Sequence, residues 1–218
     1  MKNNWLYVGA RAVLRPFVCL LFRVHLTGKN NLPEKGRFIV CSNHVSMLDP
    51  FFLAISQRRQ LHFMAKAELF HNRILASLIR AVGGFPVNRG KGDTEAMDTA
   101  ADILRQEGVL GIFIEGTRSK TGELLRPKTG AVLLGAQTGA PLLPVSICCK
   151  GGSRPRLFRR VYVSCGEPVT VEELGVQEGG GMELRSASRE LMERIRALRE
   201  ADLGRAAGRP AAVGRKSV

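Results

Sequence analysis

The sequence predicts an α/β fold, a sheet with helices packed on it. Two observations carry that expectation. Short apolar runs alternate with longer segments of helical apolar period along most of the chain. Several strand-like runs also end in polar turns, where open α/β sheets assemble their ligand sites. The bulk properties agree: 218 residues, 44% hydrophobic and 24% charged, suffice for one domain with a sizeable core.

The chain opens on Leu6 to Leu26, rich in Leu, Val and Phe but interrupted by Arg11, Arg15 and Arg23. At about 100° per residue these arginines and Cys19 share one stripe, opposite Leu6, Ala10, Val13, Leu14, Phe17, Leu20 and Leu21. Pro16 is expected to kink this segment or split it in two. No run of about 18 uncharged apolar residues exists and no small-residue cleavage site follows, which argues against a spanning helix or a signal peptide. A basic amphipathic segment lying in a membrane interface fits, and so does a helix packed on the core.

Arg37 to Ser42 (RFIVCS) reads as a buried strand and Pro50 to Ser56 as a helix; Leu61 to Ala65 is the next strand. Glu68 to Val82 carries a helical stripe that Gly83-Gly84 stops, and Phe85 to Val87 is a short extended piece. Thr94 to Gln106 is helical with Gly108 as terminator. Val109 to Ile114 (VLGIFI) is the clearest strand. Thr129 to Thr138 is helical, and Leu142 to Cys148 and Val161 to Cys165 are extended. Met182 to Leu203 is a charged helix with Leu184, Leu191, Ile195 and Leu198 on one face, and pairs such as Glu190 with Arg194 suit a solvated opposite face. The tail from Gly204 has a disordered composition.

The formal charge is +14, from 33 basic against 19 acidic residues. Such a balance suits anionic headgroups, an acidic protein or nucleic acid. Aromatics at 6%, with no RNA-binding or helix-turn-helix signature, speak against nucleic acid. The five cysteines lack C-x-x-C spacing and fit buried thiols. No cluster has metal-ligand spacing, so no catalytic metal is expected.

The chemistry concentrates in four turns. In "IVCSNHVSMLDPFF" the first strand ends at Ser42-Asn43-His44, and Asp49-Pro50 is a helix start with Asp49 as N-cap. The intervening residues are enough to fold the imidazole back on the carboxylate, leaving the other ring nitrogen as a proton acceptor. "GGFPVNRG" ends with Arg89, "FIEGTRS" places Glu115 to Arg118 past the clearest strand, and "APLLPV" opens another strand. Two arginines on such turns fit a phosphate.

Together these stretches resemble the glycerolipid acyltransferase family, most closely the lysophosphatidic acid acyltransferases. Asn43 to Asp49 matches its N-H-x-x-x-x-D motif, Gly84 to Arg89 its second, and Phe113 to Ser119 its F-P-E-G-T-R-S, with Ile114 in place of proline. Pro141 to Pro144 matches the fourth, and Lys66 in "KAEL" and Lys128 in "RPKTGA" also fit. Ile114, and Asn88 where many relatives carry an acid, are departures expected to touch substrate preference.

The resemblance implies a mixed, mostly parallel sheet of the glycerol-3-phosphate acyltransferase type. It covers roughly Leu32 to Pro168, within an acyltransferase domain expected over residues 29–203; the amphipathic membrane-interface helices of 1–28 and the disordered basic tail of 204–218 rest on pattern and composition alone. His44 would be the general base and Asp49 its orienting carboxylate. Arg118, Arg89 and Lys66 would hold the acceptor phosphate, while Glu115, Gly116 and Thr117 shape the turn. The implied reaction moves an acyl group from acyl-CoA or an acidic acyl-carrier protein to 1-acylglycerol 3-phosphate. The donor is a substrate, and no cofactor is implied. The enzyme would sit at the cytoplasmic face of the membrane. A related acyltransferase using glycerol 3-phosphate or another lysolipid, or a non-catalytic basic binding module, are the alternatives.

Overall fold

The structure is a computed structural model and describes residues 5–81, 83–87, 94–150 and 154–208. Helix α1 (Trp5–Phe22) is followed by β1 (Val24–Thr27), β2 (Phe38–Ser42), α2 (Asp49–Ser56), β3 (Leu61–Lys66), α3 (Arg73–Ala81) and β4 (Gly84–Val87). Then come α4 (Thr94–Arg105), β5 (Val109–Phe113), α5 (Gly130–Thr138), β6 (Leu142–Cys149), β7 (Val161–Cys165) and α6 (Gly181–Ala206).

The strands form one sheet in the order β1-β7-β6-β2-β5-β3-β4. Neighbours run parallel except β6 and β7. The mixed, mostly parallel sheet expected from the family resemblance is therefore observed. Every residue of β2 and β6 is buried, because helices cover both faces and leave no solvated side for polar residues.

Alternation along β2 divides the core. Ile39 and Cys41 join a cluster with Leu104, Leu134, Leu191 and Ile195 from α4, α5 and α6. Phe38 and Val40 face Phe22, Phe52 and Leu53 from α1 and α2. Full burial of one such side chain is worth about 1.5–3 kcal/mol. Close packing also dictates Gly111 in β5, where a Cβ would lie 2.3 Å from the Phe63 ring.

Several expectations need correction. Residues 24–27, read as the end of the N-terminal helical segment, form an edge strand instead. β1 pairs with β7, and the Thr27 and Ser164 hydroxyls lie 2.5 Å apart. The single helix α1 contains Pro16 without being split by it. The helix expected over Glu68 to Val82 is two pieces, a 3₁₀ turn at Ala67–Phe70 and then α3. Asn72 explains the break: its Oδ1 accepts from the backbone N–H groups of Ile74 and Leu75, capping a new helix start. At the other end α6 continues to Ala206, past the expected boundary at 203, and Glu190 pairs with Arg194 as expected. The tail beyond residue 208 lies outside the described residues.

Candidate active site

The site grows from the carboxyl end of β2. Asn43 is fully buried, and its amide serves the β6 backbone in both directions. Asn43 Nδ2 donates to the Ile147 carbonyl (2.9 Å), and the Ile147 N–H donates to Asn43 Oδ1 (2.8 Å). This fixes where the chain leaves the sheet, and so where His44 emerges.

The His44 Nδ1–H donates to Asp49 Oδ2 over 2.8 Å. A carboxylate only accepts, so Nδ1 carries a proton, and in the neutral imidazole Nε2 is then the nitrogen with the lone pair. No described residue bonds Nε2. The same Asp49 oxygen accepts the backbone N–H groups of Val45 and Ser46, each at 2.7 Å. Asp49 is therefore not the N-cap of α2; that position is Leu48, and Asp49 is the first helical residue. Three donors converging on Oδ2 turn the carboxylate back onto the histidine turn and away from the helix N–H groups.

Two further groups brace His44, one at the ring and one at the backbone. The Phe113 ring stacks on His44 with centroids 3.9 Å apart and planes 14° from parallel. Glu115 is buried, with Oε1 accepting the His44 backbone N–H (3.1 Å) and Oε2 that of Leu125 (3.2 Å). Read from the sequence as part of a substrate turn, this carboxyl lies inside the fold instead. Burial pushes its pKa up to about 7, the bonds from His44 and Leu125 pull it down, Asp49 raises it and Arg199 lowers it. The neighbouring Ser119 N–H donates to the His44 carbonyl (2.8 Å), so the β5 turn clasps the histidine from both sides.

The rest of that turn is open. Gly116 has φ of +69°, a left-handed bend suited to glycine, and the Lys128 side chain runs beside it. Thr117 and Arg118 are exposed, and no described residue pairs with the Arg118 guanidinium. Phe63 is level with Gly111, so Lys66, three residues on, is level with residue 114 and about two strand spacings, ~10 Å, from β2. Its ammonium lies 2.7 Å from Glu68 Oε1 and is half exposed. β4 ends at Val87, level with Lys66; Arg89 lies outside the described residues.

The structure thus joins His44, Asp49 and Glu115 directly, and puts Gly116, Thr117, Arg118 and Lys66 at the same end of the sheet. Sequence reading assigned no role to Asn43 or Phe113. The signal was present: a polar residue ending a fully apolar strand, and an aromatic at the end of the adjoining strand. Four of the five cysteines are buried and all are free. Burial pushes the Cys148 and Cys149 thiols up to about 12, so neither offers a thiolate near the site.

Comparison with known proteins gives the family. The acyltransferase family model matches residues 23–148. The 1-acyl-sn-glycerol-3-phosphate acyltransferase of Bacillus subtilis is 31% identical over 168 residues, covering 75% of this chain and 82% of that protein. The protein of the same name from Borreliella burgdorferi is 28% identical over 127 residues, covering 57% of this chain; the chain spans about half of its length, 51%. The crystal structure of the 1-acyl-sn-glycerophosphate acyltransferase PlsC from Thermotoga maritima shares the fold. Its TM-score is 0.67 at 24% identity, covering 97% of this chain and 86% of that one.

Proposed function

Given that the chain belongs to the acyltransferase family, we propose that it acylates the free hydroxyl of 1-acylglycerol 3-phosphate from an acyl thioester, giving phosphatidic acid. The observation that carries this reading is the 2.8 Å contact between His44 and Asp49 at the carboxyl ends of parallel strands, with Nε2 bonded by no described residue. Nε2 takes the proton of the acceptor hydroxyl as its oxygen attacks the thioester carbonyl. The tetrahedral intermediate collapses, the C–S bond breaks, and the departing thiolate recovers the proton from the imidazolium. The buried Asp49 holds the tautomer and stabilises the transient cation, as the acid of a serine-protease triad does. Because the hydroxyl attacks directly, no serine or cysteine nucleophile is needed.

Arg118, Arg89 and Lys66 hold the acceptor phosphate in this scheme. The exposed guanidinium of Arg118, with no partner among the described residues, supports the assignment, since a planar fork binds phosphate oxygens bidentately. The donor is acyl-CoA or acyl-carrier protein, both anionic and both suited to the +14 charge. The enzyme works at the cytoplasmic membrane surface as a peripheral protein, because acceptor and product both reside in a bilayer. No described helix is long and apolar enough to cross a membrane.

The test is an acyl-transfer assay with acyl-CoA and acyl-carrier protein, each against 1-acylglycerol 3-phosphate, glycerol 3-phosphate and other lysolipids. Wild-type chain should give phosphatidic acid from the first acceptor. A general base contributes about 10²–10⁴ in rate, so His44→Ala should lower kcat at least about a hundredfold with the fold intact. A folded His44→Ala protein that keeps half its activity overturns the mechanism. A marked preference for another acceptor overturns the substrate.

A further inference from the structure

Residues 154–160, between β6 and β7, read Arg-Pro-Arg-Leu-Phe-Arg-Arg. They sit at the catalytic end of the sheet, since β6 runs parallel to β2 and ends at Cys149, two residues past the Ile147 that Asn43 grips. The Arg154 guanidinium donates to the Lys120 carbonyl (3.2 Å), next to the Ser119 that clasps His44.

At the tip of this loop Leu157 and Phe158 are 57% and 62% exposed. Phe158 has φ of +61°, a conformation aromatic residues rarely adopt, and its N–H donates to the Leu21 carbonyl at the end of α1. The tip is therefore tied beside Phe17 and Leu20, the two large apolar residues of α1 that are exposed among its described side chains. Phe158 itself lines a cavity of about 400 Å³ bordered by Arg23, Lys150, Arg154, Arg156, Arg159 and Arg160, with no acid among the described lining residues.

We propose that this loop and the end of α1 form one docking surface for an anionic lipid bilayer. Leu157, Phe158, Phe17 and Leu20 enter the acyl boundary, and the surrounding arginines bind headgroup phosphates. An apolar centre with a basic rim is the pattern of interfacial binding. A soluble acidic protein would use the cations and leave four exposed apolar side chains unmatched. The surface lies beside the histidine turn, so a lysolipid need leave the bilayer only by its headgroup.

The inference rests on the peripheral-membrane reading above, and the test separates the two. Phe158→Trp is made in a Trp5→Phe background, so that the chain carries one indole. Vesicles contain phosphatidylcholine with phosphatidylglycerol, or phosphatidylcholine alone, and carry brominated acyl chains for quenching. The indole should shift to the blue and be quenched on the anionic vesicles.

Arg156→Gln, Arg159→Gln and Arg160→Gln combined should weaken partitioning to the anionic vesicles roughly a hundredfold. Activity on detergent-dispersed lysolipid should stay unchanged, since none of these side chains touches His44. Wild-type chain that binds no vesicle overturns both readings; a vesicle-bound chain with an unquenched indole overturns the loop alone, and needs no folded triple variant. A triple variant that keeps vesicle binding but needs far more acyl-carrier protein assigns the surface to that protein, and equally overturns it.

Discussion

At the scale of single residues, the site is one oxygen shared by three donors and one imidazole held between Asp49 and Phe113. Asp49→Asn keeps the shape but presents an amide that can stabilise the wrong tautomer, so its loss of kcat should approach that of His44→Ala while thermal stability changes less. Arg118→Ala removes charge-assisted bonds worth about 1.5–3 kcal/mol each. Acceptor kcat/KM should fall roughly ten- to a hundredfold with donor KM nearly fixed. A shift in the donor parameter alone would assign Arg118 to the other substrate. Glu115 makes a prediction of opposite sign to most carboxylates. Its folded pKa, about 7, lies above its ordinary 4.5, so the folded state binds the extra proton. That stability is present below about pH 4.5 and lost as pH rises through about 7. Because the amide of Glu115→Gln does not titrate, wild-type Tm should fall relative to that of the variant as pH rises from 5 to 8. Parallel Tm curves for the two proteins would sink this account.

At the scale of elements, α1 has two apolar faces with different duties. Phe22 is buried and meets Phe52 edge-on with centroids 5.3 Å apart, whereas Phe17 and Leu20 face outward. Phe22→Ala should cost about 3 kcal/mol and lower Tm by roughly 6–12 °C. Phe17→Ser with Leu20→Ser should leave Tm in place and weaken vesicle co-sedimentation. A loss of Tm in the second variant would make that face part of the core.

The helical wheel could not separate these faces, because it grouped Phe17, Leu20 and Leu21 on one side. Burial against a sheet that the wheel does not contain decides the matter. The inner strands were legible because full burial makes them continuous apolar runs. β1 was not, because Val24 to Thr27 is too short to show a period of its own and follows a helix of similar composition. The dyad was legible because its partners are five residues apart. The roles of Asn43 and Phe113 depend on strands β6 and β5 lying beside β2, which no local pattern records.

At the scale of the whole molecule, the order of strands has a consequence in time. Among the described residues β1 has β7 as its only neighbour in the sheet, and Thr27 meets Ser164 at a separation of 137 residues. At about 5–20 residues per second of synthesis, β1 waits roughly 7–30 s for that partner to be made. Throughout that interval α1 is complete while the sheet it will rest on is not. Its apolar surface must be hidden by something else, and for an enzyme of lipids the nearest candidate is the membrane itself. A chain ended after Lys150 freezes that interval: β1 has no partner and β6 has one bare edge, so it should aggregate in detergent-free buffer. Vesicles added during cell-free synthesis should keep it dispersed, and recovery of that fragment as a soluble monomer without them would remove the need for any such shelter.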